Sequence, residues 1–357
     1  MDSAPELATV LEPLAASAQV ALDCEADSLH AYPEKLCLIQ LAAGEGEDPF
    51  VALLDPLAEL DVQPLLKVLA CKRLLLHGAD FDLRLLHRSY GFTPTKLFDT
   101  MEAARLLGWR EVSLKAIIAR ILGHRLDKGS QRANWGRRPL TAKMHAYAID
   151  DVKYLAPVAA HLEAELTSCG RLSWHQEICQ RLIKLAAAPR VVDETRVWRV
   201  KGSKSLGRLG LAALRELWHV REREAVTVSR PPYFVFAHEF LVDLAGQVER
   251  DPTLTGQKLV QRARLGGRRA RAIADALDRA RDLPASQHPQ RLRSNHKPQL
   301  SSAEQARLVA LKEVRDRQAQ QLEIEPTLIA PKAVLIALAR ERVPPHLMKW
   351  QHELLGL

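Results

Sequence analysis

The chain has 357 residues, of which 47% are hydrophobic and 26% charged, a composition typical of soluble globular proteins with two or three domains. No stretch approaches the roughly 18 consecutive apolar residues of a membrane span. Residues 1–16 carry three acids, including Glu6 and Glu12, and no Lys or Arg, so we expect neither a span nor a secretory signal. The net charge of +8 is concentrated in residues 191–300, which hold 21 Lys and Arg against 12 Asp and Glu. A basic segment of this kind indicates a module that binds a polyanion.

Residues 1–190 have the pattern of an α/β domain. Short apolar runs between turn residues predict buried strands at Ala18–Asp23, Leu36–Leu41, Phe50–Leu54 and Arg73–His77. Helical periodicity predicts helices at Asp80–Tyr90, Thr100–Leu107, Ser113–Leu122, Thr141–Leu155 and Val158–Leu166. Three strands in quick succession, followed by strands that alternate with helices, predict a mixed sheet covered by helices.

The rest of the chain is predicted to be helical. Short helices with Pro or Gly between them fill residues 191–283, and a linker with three prolines follows at 284–300. Residues 301–357 form a final helical block.

Two acids at the end of the first predicted strand are candidate metal ligands. Strand alternation places Asp23 and Glu25 on one face, roughly 7 Å apart along the strand. Adjacent carboxylates repel one another and resist desolvation, and a hard cation such as Mg²⁺ or Mn²⁺ removes both costs. A strand that simply reaches solvent at its end is the alternative.

Further acids follow in two places, where spacing alone leaves the choice open. Asp80 and Asp82 lie in a His-Gly-Ala-Asp-Phe-Asp segment at the start of a predicted helix. In the predicted helix 141–155, Tyr147 shares a face with Asp151 at i+4 and with Asp150 at i+3.

The order of these motifs resembles the DEDD superfamily of 3′-5′ exonucleases, in its tyrosine-bearing branch. The stretches Glu34–Leu41 and Leu126–Thr141 (Leu-Asp-Lys-Gly-Ser-Gln-Arg-Ala-Asn-Trp-Gly-Arg-Arg-Pro-Leu-Thr) closely resemble ribonuclease D and its exosome-associated and Werner-type relatives. The likeness covers about residues 15–185 and implies a ribonuclease H-like mixed sheet flanked by helices. Ala26 is a departure, since many ribonuclease D sequences carry a bulky residue there.

The resemblance implies a catalytic site with two divalent metal ions, Mg²⁺ or Mn²⁺, that hydrolyse a terminal phosphodiester. By this likeness the metal ligands are Asp23, Glu25, Asp82 and Asp151, and Tyr147 is a catalytic residue that orients the attacking water. Asp23 is implied to bridge both ions, and Asp80 and Asp150 are then neighbours rather than ligands.

A basic stretch within this domain predicts contacts to the substrate. Between Arg105 and Arg138 the chain has nine Lys or Arg residues and two acids, and phosphate contacts supply most sequence-independent affinity for nucleic acids. We therefore expect Lys128, Arg132 and Arg138 near the substrate backbone. Trp135 is a candidate for base stacking, with anchoring of its own loop in the core as the alternative.

Residues 191–283 resemble the HRDC domain, a small helical module shared by ribonuclease D and RecQ-type helicases. The segments that carry the likeness are Trp198–Ser203 and Leu211–Trp218. Residues 301–357 are interpreted as a second, degenerate HRDC-like domain that lacks the tryptophan-containing entry motif.

The resemblance therefore implies a 3′-5′ exoribonuclease that acts on tRNA precursors or other stable RNA and releases 5′-nucleoside monophosphates. Two alternatives remain, a 3′-5′ DNA exonuclease and a catalytically inactive RNA-binding protein. Five scattered cysteines without a CxxC pair favour reduced thiols and hence a cytoplasmic location.

Overall fold

The computed structural model describes residues 3–357 apart from 45, 47, 59, 127, 128, 190, 293–299 and 342–346. The chain forms two units by its internal contacts. The larger unit comprises Met1–Ala26, Leu36–Ala188 and Gln299–Leu357, and the smaller comprises Asp27–Lys35 and Pro189–Pro298.

A five-stranded mixed sheet organises the larger unit as the structure describes it. Its strands are β1 (Gln19–Ala26), β2 (Leu36–Ala43), β3 (Phe50–Leu54), β4 (Arg73–Leu76) and β5 (Lys96–Asp99). They lie in the order β3-β2-β1-β4-β5; β1, β2 and β3 are antiparallel neighbours, while β4 and β5 continue the sheet in parallel with β1. The predicted mixed sheet is confirmed, but β1 continues to Ala26, three residues beyond the predicted end, and β5 was not predicted.

Helices cover both faces of this sheet. They are α1 (Ala4–Ala16), α2 (Gln63–Ala70), α3 (Asp80–Tyr90), α4 (Thr100–Leu106), α5 (Leu114–Leu122), α6 (Ala142–Lys153), α7 (Leu155–Ser168) and α8 (Leu172–Ala187). One core contains residues of α1, α2 and α3 against β1, β2 and β4, and the other contains residues of α4, α5 and α7. Sequence periodicity missed α1, α2 and α8, and it merged α6 with the start of α7.

The C-terminal block belongs to the larger unit. Its helices are α14 (Ser302–Leu322), α15 (Pro326–Ile329), α16 (Lys332–Ala339) and α17 (Lys349–Leu355). Trp350 is 1% exposed and stacks on Trp174 of α8, with ring centroids 4.9 Å apart. The Arg171 guanidinium donates a hydrogen bond to the Leu322 carbonyl at 2.9 Å. We predicted a separate domain here, whereas these residues share a core with the sheet; their HRDC-like character stays a prediction.

The smaller unit is helical. Its helices are α9 (Arg208–Thr227), α10 (Pro232–Val235), α11 (His238–Arg250), α12 (Gly256–Arg262) and α13 (Gly267–Asp282). Their apolar faces bury one core, which includes Trp198 and Leu214. Within this unit Arg268 and Arg269 both pair with the buried carboxylate of Glu224. Across the described part of both units, no helix is long and apolar enough to cross a membrane.

Candidate metal centre

The C-terminal end of β1 carries the first two acids of the site. Asp23 and Glu25 alternate with the buried Cys24, so their side chains share the face opposite to that thiol. This end of β1 stays hydrogen-bonded to β2, with a register shift between Glu25 and Ala26. The pairing holds both carboxylates on an ordered strand.

Helix α6 brings a third acid to the same place. Its start is fixed by Thr141, whose side chain accepts a hydrogen bond from the backbone N–H of Met144. Tyr147 and Asp151 then lie one turn apart on one face. Carboxylate oxygens of Asp23, Glu25 and Asp151 all lie within 4.8 Å of one another, and we call these three residues the carboxylate triad. The structure thus brings together acids that are 126 to 128 positions apart in the sequence.

Asp82 lies outside the triad, in the first turn of α3. It is 6% exposed, and its charge raises the pKa values of Asp23 and Glu25. Asp80, in contrast, points outward and forms an ion pair with Arg84. Helical spacing could not choose between Asp80 and Asp82. The structure shows that Asp82 is the one whose charge acts on the triad.

The buried Asp99 anchors the backbone that carries Asp82. Its carboxylate accepts hydrogen bonds from the backbone N–H groups of Gly78 at 3.0 Å and Ala79 at 2.8 Å, just before α3. It also caps α4 by accepting from Met101 at 2.9 Å. Gly78 has φ +73°, a left-handed conformation that favours glycine. Sequence analysis missed Asp99, which lies after an unpredicted strand.

Burial, with added repulsion from neighbouring carboxylates, raises the pKa of each triad member and of Asp82; we call these four acids the carboxylate cluster. Burial contributes most to raising the pKa of Asp23, followed by Asp82, Asp151 and Glu25. Burial first, then Asp151 and Asp82, raises the pKa of Glu25 to about 9. Burial is also the main cause that raises the pKa values of Asp82 and Asp151 to about 7. Together these groups resist ionisation near neutral pH unless a cation compensates their charge.

The phenol of Tyr147 stays protonated in this environment. Burial, and then the charges of Asp151 and Glu25, raise its pKa well above the usual range, and its hydroxyl is hydrogen-bonded to Asp151. Its ring lies 6.0 Å from that of Trp135. A Cβ atom added at Gly129 would come within 1.8 Å of two ring carbons of Tyr147. The absence of a side chain at Gly129 therefore allows the loop to approach the tyrosine.

A cavity of about 670 Å³ opens beside Asp23, Tyr147 and Asp151. Three cationic side chains among the described residues also line it: Lys115, Arg132 and Lys143. We predicted Arg132 but missed the two lysines. Lys143 lies one turn before Tyr147 on α6, so helical spacing could have predicted that it lies near the site. Nothing in the sequence indicated Lys115.

The other residues predicted for substrate binding have different surroundings. Lys128 lies outside the described residues. Trp135 is 1% exposed within a small core with Met144, so its ring has no open face on which a base could stack. This burial fits the alternative that Trp135 anchors its own loop in the core. The Arg138 guanidinium pairs with Asp55 and donates to the Cys37 carbonyl at 2.7 Å. A phosphate would therefore have to compete with an existing ion pair for Arg138.

The chain is similar in sequence and structure to known nucleases. A family model described as a 3′-5′ exonuclease matches residues 1–167. Ribonuclease D of Desulfotalea psychrophila is 32% identical over 317 residues, which cover 87% of this chain and 82% of the relative. The crystal structure of Escherichia coli RNase D, described as an exoribonuclease involved in structured RNA processing, superposes with a TM-score of 0.73 at 25% identity and covers 100% of this chain and 96% of that one. A protein from Bifidobacterium adolescentis has the same fold, with a TM-score of 0.82 at 22% identity over 99% of this chain and 94% of its own.

Proposed function

Since the chain belongs to the ribonuclease D family and is a metal-dependent 3′-5′ exoribonuclease, we propose that its acidic residues would hold two divalent ions for the hydrolysis. The observation that carries this proposal is the convergence of the carboxylate triad within 4.8 Å beside Tyr147. Two alternatives, a DNA exonuclease and an inactive RNA-binding protein, are less consistent with the ribonuclease relatives and with the presence of a complete acidic cluster.

The donor set fits hard divalent cations. Mg²⁺ and Mn²⁺ prefer carboxylate oxygens. Burial is the main cause of the raised pKa values of Glu25, Asp82 and Asp151, so a bound cation would favour the ionised form that binds metal. We propose that the triad and Asp82 would together hold the two ions. When bound, such ions lower the pKa of water and neutralise the charge that develops on phosphate and on the leaving 3′ oxygen.

Tyr147 is proposed to orient the attacking water. Because its raised pKa keeps the hydroxyl protonated, the residue acts through a hydrogen bond rather than as a base. The hydrogen bond to Asp151 fixes the direction of that hydroxyl. Asp151 thus has two roles, one toward a metal and one toward the tyrosine.

The cationic residues that line the cavity are proposed to hold the RNA backbone. Lys115, Arg132 and Lys143 line the cavity, and such charges attract phosphate groups without regard to base sequence. Lys128 stays a proposed substrate contact. Arg138 is proposed to contact the substrate only when its ion pair with Asp55 opens. We no longer propose Trp135 as a stacking residue, because it is buried.

The natural substrates are proposed to be structured RNAs such as tRNA precursors, shortened from the 3′ end with release of 5′-nucleoside monophosphates in the cytoplasm. The printed description of the E. coli relative, structured RNA processing, supports this substrate class. Residues 191–300, with 21 basic and 12 acidic residues, are proposed to be an HRDC domain that holds such RNA.

A matched pair of variants on one helix tests the proposal. Asp82→Asn removes a charge that the cluster uses, whereas Asp80→Asn removes an exposed charge two residues away. We expect Asp82→Asn to lose most of its turnover and Asp80→Asn to stay near wild type. The assay compares ribo- and deoxyribo-oligonucleotides of one sequence in Mg²⁺. Loss of activity in Asp80→Asn alone would overturn the ligand assignment, and preference for the deoxy strand would favour the DNA alternative.

A further inference from the structure

Gln40 is a polar residue in a strand that is buried along its whole length. Strand β2 reads Leu-Cys-Leu-Ile-Gln-Leu-Ala-Ala, and all eight residues are buried. Gln40 itself has no exposed surface. Burying an amide is unfavourable unless hydrogen bonds replace those lost to water, so its presence calls for a specific partner.

That partner is the carboxylate of Asp23. The antiparallel register pairs Asp23 directly with Gln40, just as it pairs Ala21 with Ala42, so both side chains lie on one face of the sheet. The Gln40 Nε2 donates a hydrogen bond to Asp23 Oδ2 at 3.3 Å. The amide therefore contacts a member of the triad that would hold the ions.

The orientation of the amide is set by this contact at a cost to stability. Gln40 Oε1 has no hydrogen-bond partner among the described residues. Rotating the amide by half a turn would place that oxygen against the Asp23 carboxylate. Both N–H donors would then be buried without a hydrogen-bond acceptor. The observed orientation leaves one buried acceptor unpaired, which in general destabilises a fold. Polar groups buried at such a cost are typical of functional sites rather than of the hydrophobic core.

We propose that Gln40 is a positioning residue that fixes the Asp23 carboxylate for metal binding. With Oδ2 engaged by the amide, rotation of the carboxylate about its Cβ–Cγ bond is restricted, and Oδ1 is left for the cluster. Partners that orient metal-binding side chains typically account for 10- to 100-fold in metal affinity. The inference rests on the proposed metal-dependent function, but it concerns a contact that is present without metal.

Gln40→Met tests this role because methionine matches the length of glutamine and lacks both the donor and the unpaired acceptor. A structural role predicts that the substitution lowers the melting temperature. A positioning role predicts a nearly unchanged melting temperature of the metal-free chain, because removal of the unpaired acceptor offsets the loss of the donor to Asp23. Leu41→Met is the control, since Leu41 is a neighbour in β2 with no exposed surface that belongs to the core on the opposite face.

The measurement is a Mn²⁺ titration of the full-length chain by calorimetry, without RNA, together with thermal unfolding in EDTA. We expect Gln40→Met to weaken Mn²⁺ binding about 10- to 100-fold and Leu41→Met to leave it unchanged. Turnover of Gln40→Met should recover as Mn²⁺ is raised toward saturation. Wild-type Mn²⁺ affinity in Gln40→Met, or equal losses in both variants, would overturn the inference.

These results separate the inference from the proposed function. If the wild-type chain binds Mn²⁺ but does not hydrolyse RNA, the function fails, and the affinity ratio of the variants still decides the role of Gln40. If the wild-type chain hydrolyses RNA and Gln40→Met binds Mn²⁺ as wild type does, the inference alone fails.

Discussion

Trp350, near the C-terminus, should stabilise the nuclease fold although it lies about 200 positions beyond the last predicted metal ligand. It is 1% exposed and stacks on Trp174 with an interplanar angle of 12°. Both rings belong to the core that contains Ala21 of β1 and Phe98 of β5. Replacing Trp350 by alanine therefore opens a cavity against the layer that supports the sheet.

The expected loss can be worked out from these contacts. Truncation of a buried tryptophan to alanine costs about 3–5 kcal/mol. The indole N–H of Trp350 has no partner among the described residues, so the wild-type ring already carries a desolvation cost that the variant relieves. We therefore expect the lower end, about 3 kcal/mol, which for a unit of this size corresponds to a fall of about 6–12 °C in melting temperature.

Thermal unfolding followed by circular dichroism, with and without Mg²⁺, measures this loss. Because ligands stabilise the state that binds them, the transition that Mg²⁺ raises identifies the unit with the carboxylate triad. Trp350→Ala should lower that transition. Phe234→Ala, at a side chain that is 57% exposed in the smaller unit, should shift it by less than about 0.5 kcal/mol. A Trp350→Ala shift as small as that of Phe234→Ala would refute the shared core.

Three further predictions concern the site. Tyr147→Phe should lower kcat strongly and leave Mn²⁺ and RNA dissociation constants near wild type, because the hydroxyl acts on the water in the transition state; a defect confined to RNA affinity would contradict this. Gly129→Ala should also lower kcat, since a Cβ atom there would displace the Tyr147 ring, and titration calorimetry should find unchanged Mn²⁺ affinity. In EDTA the free energy of unfolding should fall as pH rises from about 4 to about 7, because Asp82 and Asp151, with folded pKa values of about 7, bind more protons folded than unfolded in that window. Urea unfolding at pH 5 and pH 7.5 checks this, and Mg²⁺ should reduce the fall; a metal-free chain that gains stability across the window would count against the raised pKa values.

The parts of the fold that follow local patterns were predictable from the sequence. Alternation in β1 placed Asp23 and Glu25 on one face, and helical spacing placed Tyr147 with Asp151. The choice between Asp80 and Asp82 needed family resemblance, because both lie in one helical turn and only tertiary packing buries one of them.

Features that depend on distant packing escaped the sequence analysis. The four-residue β5 is too short for a periodicity signal, so the buried cap Asp99 at its end was missed. Lys115 was missed because only the tertiary structure shows that the start of α5 lines the same cavity as residues of α6. The apolar residues of the C-terminal block, including Trp350, indicated a core without indicating that it is shared with the sheet.

The central claim is metal-dependent removal of nucleotides from an RNA 3′ end, and digestion of RNA labelled at either end tests it most directly. The full-length chain is incubated with 5′-labelled or 3′-labelled RNA, in Mg²⁺ or in EDTA. With Mg²⁺ we expect the 5′ label to pass through a ladder of products shortened one nucleotide at a time, and the 3′ label to appear at once as a mononucleotide. EDTA should abolish both. Internal cleavage, mononucleotides released first from the 5′ label, or equal activity in EDTA would contradict the account.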